Sequence, residues 1–327
     1  MSILSGLYGR AAAWRRAWYG RDPQRRRRLE QPVISVGNLS VGGSGKTPTV
    51  AALAQLLREL GERPAILSRG YARREESDGV VVVSDGTRVL EPVMRSGDEP
   101  QMLARMLSGV PVLVARERYL AGCLAERTFG ATVHLLDDGF QHYQLARDLD
   151  LLILAAEDLE ERLLPSGRLR EPLDAAAHAH ALLVPAGGEE AVARRFPAAD
   201  LFTVSREYGT LPEVRRVVAV AGIARPQRFF DALRAQGLEI VREMPFRDHH
   251  WYKTSDVDAI ARAARELGAD AVVTTDKDLV RFDAVAPAAS AARVLALPMR
   301  IAIEPRERFA EWLRARLRVV RASRSAA

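Results

Sequence analysis

With 327 residues and 48% hydrophobic content, the chain is long enough for two ordinary domains and has the composition of a soluble globular protein. Its one cysteine, Cys123, rules out an internal disulfide, and no apolar run reaches the roughly 18 residues needed to span a bilayer. The net charge of +6 is concentrated at one end: residues 1–30 hold eight arginines against Asp22 and Glu30, so the remaining chain balances.

In that first segment Ile3, Leu4, Leu7, Ala11, Trp14 and Trp18 recur at helical spacing, with Arg15, Arg16 and Arg21 largely elsewhere on the wheel. Arginines interrupt the apolar stretch, against a secretory signal. Residues 1–30 are therefore predicted to form an amphipathic helix, either lying in an anionic membrane surface or docked on the protein's own core. No recognition module accompanies the basic charge, so no nucleic-acid partner is expected.

The next stretch, Val33 to Val50, carries the strongest signal. Val33–Val36 reads as a strand, Gly37–Gly45 as a glycine-rich loop, and Lys46-Thr47 opens a helix. Strand, loop, Gly-Lys-Thr and helix describe a phosphate-binding loop formed by Ser40, Val41, Gly42, Gly43, Ser44, Gly45, Lys46 and Thr47. Lys46 would reach the terminal phosphates and Thr47 would ligate magnesium. Ser40 stands where the usual pattern asks for glycine.

Apolar runs then alternate with helical stretches, as in a parallel α/β sheet. Strands are predicted at 65–68, 80–84, 110–114, 132–136, 149–154, 182–184 and 201–204, and helices at 99–107, 118–127 and 189–195. A second unit is predicted after Ser205, with strands at 217–220, 240–242 and 271–274. Its helices fall at 226–236, at 255–267 capped by Ser255, and at 304–320, after a Pro/Ala-rich loop at 284–292. The domain reading is thus 1–30, 31–205 and 206–327: a P-loop NTPase-type parallel sheet domain, a smaller α/β domain and the amphipathic helix.

Ligands of such sheets bind at the carboxyl ends of the strands. Asp137 and Asp138 end one strand, where a magnesium-positioning acid belongs. Asp98 and Glu99 precede a helix, and the residues alone allow either a helix cap or a general base. Arg69, Arg73 and Arg74 follow one strand and Arg116 and Arg118 another, while Arg168 and Arg170 share a loop; guanidinium suits phosphate or carboxylate. His249 and His250 lie beside Asp248 and aromatics, as surface or metal-binding residues or as an imidazole orienting an acid across a cleft. Thr274–Asp278 has the wrong spacing for a guanine-reading loop.

Together these stretches resemble the tetraacyldisaccharide 4′-kinases of lipid A biosynthesis in Gram-negative bacteria. The resemblance is carried by residues 36–48, 67–71, 97–100, 136–142, 169–172 and 248–249. Ser40 is then ordinary, since that family commonly has a hydroxyl residue there; Ala72 for Gly and Asp276 for Glu are small departures. The resemblance implies transfer of phosphate from ATP, with Mg2+, to the 4′-hydroxyl of a glycolipid precursor. It implies Asp98 as base with His249 as its partner, Lys46 and Arg170 at the transferred phosphate, and Thr47, Glu99, Asp137 and Asp138 around magnesium. Arg69, Tyr71, Arg118 and His142 are expected at the substrate, and the cytoplasmic face of the inner membrane is the expected location. The competing classes are a P-loop switch or metallochaperone and a small-molecule kinase or ligase; the oligomeric state is left open.

Overall fold

The computed structural model describes residues 3–71, 73–75, 78–285 and 293–325. Ala72 and residues 286–292 of the expected Pro/Ala-rich loop lie outside them. The chain begins with α1 (Ile3–Gly20) and then enters β1 (Val33–Asn38), buried along its whole length. The following elements are α2 (Lys46–Glu59), β2 (Pro64–Ser68), β3 (Val80–Ser84), α3 (Val93–Ser96), α4 (Asp98–Met106), β4 (Val112–Ala115), α5 (Arg118–Phe129) and β5 (Val133–Asp137). They continue as β6 (Leu149–Ile153), β7 (Ala181–Pro185), α6 (Glu189–Arg195) and β8 (Leu201–Tyr208).

These strands build one sheet in the order β8-β7-β6-β1-β5-β2-β4-β3, parallel except where the edge strand β3 runs antiparallel to β4. Its central strands are apolar on both faces because helices cover both, the pattern of a doubly covered parallel sheet. β1 lies between β5 and β6, with Val36 opposite Asp137, so the loop after β1 opens beside the acids that end β5.

The second sheet holds β9 (Arg216–Ala221), β10 (Glu239–Pro245), β11 (Ala271–Thr275) and β12 (Val294–Leu297) in the order β10-β9-β11-β12, all parallel. It carries α7 (Pro226–Ala235), α8 (Thr254–Glu266) and α9 (Asp276–Asp283). α8 begins one residue before Ser255: Asp256 caps it by accepting the Lys253 N–H at 2.9 Å.

The expected unit 206–327 is divided in the structure. β13 (Met299–Glu304) pairs antiparallel with β8 and becomes the ninth strand of the large sheet. α10 (Arg306–Ser325) places Phe309, Leu313 and Leu317, spaced for one helical face, in the same core as Leu53 and Leu57 of α2. The last strand and helix therefore close the first unit, and the smaller sheet is an insertion between β8 and β13.

The apolar stripe of α1 faces outward. Ile3, Leu4, Leu7 and Trp14 are 84%, 65%, 58% and 63% exposed. The helix docks instead through small residues and one cation: Ser5 and Gly9 are buried against the 163–172 loop, and Arg16 Nε donates to Glu171 Oε2 at 2.8 Å.

Candidate active site

The phosphate loop is held from both sides. The Val41 N–H donates to the Arg168 carbonyl at 2.8 Å and the Arg170 N–H to the Leu39 carbonyl at 2.7 Å. Gly42 and Gly45 have φ of +109° and +87°, which L side chains rarely adopt, and Gly45 caps α2 in that conformation. Lys46 Nζ lies 3.1 Å from Asn38 Oδ1 and 3.7 Å from Asp138 Oδ1. The Thr47 hydroxyl donates to Asp137 Oδ2 at 3.1 Å. The glycine loop, the start of α2 and the lysine together make this an anion cradle.

Asp137 ends β5 in the interior, and its Oδ1 is buried without a protein partner. Burial first, then the charges of Glu99 and Asp138, push its carboxyl up to about 7. Asp138, at φ +53°, is gripped at both oxygens by Arg170, at 2.9 and 2.8 Å. Burial would raise Asp138, but Lys46 and Arg170 outweigh it and hold the carboxyl below its usual value.

Among the described residues no three His, Cys, Asp or Glu side chains gather as a metal cage. Magnesium does not need one, because it takes one or two carboxylates and completes its shell with phosphate oxygens and water. The unpartnered Asp137 Oδ1, the Thr47 hydroxyl beside it and a carboxylate raised by its acidic neighbours fit such a cation.

On the facing side, Asp98 is the first residue of α4, after Gly97 at φ +87°, where a Cβ would meet the Tyr71 carbonyl at 2.9 Å. Its Oδ1 accepts the Glu99 N–H at 2.9 Å, but the cap position is Gly97 and no side chain caps the helix, so the helix-cap reading of Asp98 does not hold. Its Oδ2 lies 2.9 Å from His249 Nδ1, so the partnership across the cleft is present. Burial would raise the Asp98 carboxyl, yet the bond to His249 and the charges of Lys277 and Arg281 hold it below its usual value.

Two members of this cluster were not singled out from the sequence. Lys277 Nζ lies 3.1 Å from His249 Nε2, 3.3 Å from Glu99 Oε1 and 3.6 Å from Asp248 Oδ1. An ammonium only donates, so His249 carries its proton on Nδ1 and gives it to Asp98. Arg281, fully buried, sets Nε 3.6 Å from Asp98 Oδ2 and donates through Nη2 to Asp278 and the Gly222 carbonyl. The only sequence signal was the charged run Thr274–Asp278; in the structure it starts α9, capped by the Thr275 hydroxyl.

Arg118, buried at the start of α5, donates to His142 Nδ1 at 3.1 Å. Burial and then the charge of Arg118 push His142 down to about 3, so its ring is neutral at physiological pH. Tyr71 is exposed and packs edge-on against His249 with ring centroids 5.4 Å apart. Arg69 also stands exposed at the rim.

One cavity of about 820 Å³ joins these parts. Residues 40–47, Arg69, Tyr71, Glu99, Arg118, Asp137, Asp138, His142, Arg170 and His249 all line it, and so does Lys277. Asp98 does not: it is 2% exposed and sits behind His249 and Lys277.

A central parallel strand, its glycine loop, Lys-Thr at a helix start and a carboxylate ending the next strand define a P-loop phosphate-binding protein, here with a second α/β unit folded over the loop. The family model for tetraacyldisaccharide-1-P 4′-kinase matches residues 1–318, and the chain belongs to that family. It is 43% identical to a tetraacyldisaccharide 4′-kinase of Koribacter versatilis, covering 86% of this chain and 88% of that one. Identity is 46% to the protein of the same name from Bradyrhizobium sp. strain BTAi1, over 86% and 80%. The crystal structure of LpxK from Aquifex aeolicus in complex with ATP matches with a TM-score of 0.77 and 32% identity, over 96% of this chain and 97% of that one.

Proposed function

We propose that the protein transfers the γ-phosphate of ATP to the 4′-hydroxyl of a tetraacyldisaccharide 1-phosphate, with magnesium, in lipid A biosynthesis. One observation carries this reading. The phosphate loop with its acids stands on the larger sheet and His249, bonded to Asp98, on the smaller one, and the loop and His249 line one cavity. The family membership and the ATP bound by the Aquifex aeolicus relative agree with it.

In this account residues 40–47 cradle the nucleotide phosphates and Lys46 neutralises the transferring group. Thr47, Asp137, Asp138 and Glu99 would hold magnesium, which supplies charge stabilisation to the β- and γ-phosphates when bound. Arg170 and Arg118 steady the phosphoryl group in flight, and Arg69, Tyr71 and His142 contact the acceptor. The new bond joins the acceptor oxygen to the γ-phosphorus as the bond to the β,γ-bridging oxygen breaks. ADP departs, and the hydroxyl proton passes to the Asp98–His249 pair, with Asp98 as the base.

A second assignment of the base has its own observation. His249 lines the cavity while Asp98 lies behind it, and the Nδ1–H is already committed to Asp98. Nε2 would then take the proton once Lys277 yields its hydrogen bond, with Asp98 orienting the ring as the acid of a catalytic triad does. The pH profile separates the two. A base whose carboxyl is held below its usual value leaves kcat/KM flat through the neutral range, and a limb within that range would count against Asp98 as the base.

α1 would bring this site to the inner-membrane surface. Its exposed apolar stripe and arginines support an interfacial helix, and among the described residues no helix is long and apolar enough to cross the membrane. Product analysis by mass spectrometry and phosphorus NMR tests the function. A new phosphomonoester at the 4′ position is the expected result, and an unchanged acceptor would overturn the reading.

A further inference from the structure

A strap of chain, residues 163–172, lies between α1 and the phosphate loop and is bonded to both. On the loop side Ser40 bridges Leu169, the Val41 N–H reaches the Arg168 carbonyl, and the Arg170 N–H reaches the Leu39 carbonyl. Leu169 is buried in one core with Leu39 and Phe140. On the helix side the Ser5 hydroxyl lies 3.1 Å from the Leu163 carbonyl and 3.0 Å from the Ser166 hydroxyl. Gly9 leaves no room for a side chain, since a Cβ there would meet Leu163 Cδ1 at 2.6 Å.

Two successive strap residues then face opposite ways. Arg170 turns to the site, where it grips both oxygens of Asp138 and donates to the Asn38 carbonyl at 3.1 Å. Glu171 turns to α1 and accepts the 2.8 Å bond from Arg16 Nε. The side chains of Arg16 and Glu171 are 15% and 3% exposed, so water screens their attraction little. Among the described residues no other cation stands within ion-pair distance of Glu171. The same guanidinium lies 4.5 Å from the ring centroid of Phe140, in the turn that follows Asp138. Phe140 is fixed in turn against β1, where a Cβ on Gly37 would meet the Phe140 Cβ at 2.5 Å. One cation of α1 thus touches both segments that carry Arg170 and Asp138, without itself lining the cavity.

A buried ion pair gives little net stability over an apolar contact of the same volume, because desolvation offsets the attraction. The apolar stripe of α1, which could have made such a contact, faces outward instead. We propose that Arg16 and Glu171 are positioning residues: the seat of α1 on the strap sets Arg170 against Asp138 and so aligns the phosphoryl group for transfer. The pair fixes one register between helix and strap, which an apolar contact would leave free to slide. The inference rests on the kinase reading above, with Arg170 at the transferred phosphate.

The test measures transfer from labelled ATP to the disaccharide 1-phosphate in nonionic detergent micelles. Arg16→Gln and Glu171→Gln should each lower kcat by about 10- to 100-fold, the scale of a small misplacement at the reacting centre. KM for the acceptor and binding to anionic vesicles should stay near wild type, because the pair faces neither. Arg16→Lys should recover part of kcat, and it carries the comparison if Arg16→Gln folds poorly. Epistasis gives the sharpest readout. In an Arg170→Gln background, Arg16→Gln should change kcat by less than about twofold, since both act through one guanidinium. An equal fold loss in both backgrounds would overturn the proposal, as would a loss confined to acceptor KM or to vesicle binding. A loss of kcat that follows the unfolded fraction in thermal melts would assign the pair to stability and overturn it too. Variants as active as a working wild type overturn the positioning role alone. A wild type that transfers no phosphate to the lipid would sink the kinase reading, and the positioning role with it.

Discussion

His249 Nδ1 lies 2.9 Å from Asp98 Oδ2, joining a loop of the smaller sheet to the first turn of α4 on the larger one. The two residues are 151 positions apart, so the contact exists only when both units are folded and closed on each other. Removing the carboxylate should therefore affect chemistry more than nucleotide binding. Asp98→Ala is expected to lower kcat by about 100- to 10,000-fold, the range of a lost general base or its orienting acid. ATP affinity, measured by titration calorimetry, should stay close to wild type. Full activity in Asp98→Ala would remove the residue from the mechanism.

Lys277 holds the second nitrogen of His249. Lys277→Met should release the ring, lowering kcat with little change in KM for ATP. Lys277→Arg should recover part of the rate, because a guanidinium can still donate to Nε2. Side-chain nitrogen NMR gives an independent readout: the Nδ1–H form should dominate in wild type, and a mixture should appear in Lys277→Met.

Arg281 is a structural prediction. It is fully buried and donates to Asp278, itself fully buried, so Arg281→Met would leave an uncompensated interior carboxylate. A loss of about 3–5 kcal/mol in urea unfolding is expected. A change below about 1 kcal/mol, the scale of a surface pair, would contradict the burial argument.

The return of α10 to the large sheet can be read through pH. Arg321 of α10 donates to both oxygens of Glu62, at 2.8 and 2.7 Å. The hydrogen bond from Arg321 is the main cause holding the Glu62 carboxyl below its ordinary 4.5, against burial. A depressed folded value stabilises above the unfolded value and loses that contribution as pH falls through the folded one. Glu62→Gln should therefore cost about 1 kcal/mol at pH 7, given the half-exposed arginine, and progressively less at acid pH. A cost that does not vary with pH would contradict the pairing.

The phosphate loop and the acids after β5 were legible because their chemistry is local: glycines at positive φ, a lysine at a helix start and carboxylates at a strand end all sit within short stretches. Lys277 and Arg281 were not, since their partners Asp98 and Glu99 are more than 170 positions away and the run around Lys277 looks like a failed guanine loop. β13 was also missed. Its alternation in Met299–Glu304 is brief and merges with the helical pattern after Glu304, so nothing local shows that it pairs with β8. Of its two sequence readings Asp98 keeps the partnership with His249, since it is the first residue of α4 and Gly97 holds the cap position.

The outward stripe of α1 makes a separable prediction. Leu4→Gln, Leu7→Gln and Trp14→Gln together should weaken binding to anionic vesicles in a flotation assay, while activity toward micellar acceptor is largely kept. Added salt should weaken the wild type through its arginines, over a Debye length of about 8 to 10 Å near physiological ionic strength. Unchanged partitioning of the triple variant would remove α1 as an interfacial helix.

The central claim is that two sheets meet to move a phosphoryl group onto a lipid hydroxyl rather than onto water. The most direct measurement follows the label from γ-labelled ATP in the presence of magnesium and the disaccharide 1-phosphate. The label is expected to appear on the glycolipid, with little free phosphate, and to be lost from the lipid in Asp98→Ala. Release of the label to water at the same rate with or without the acceptor would contradict it.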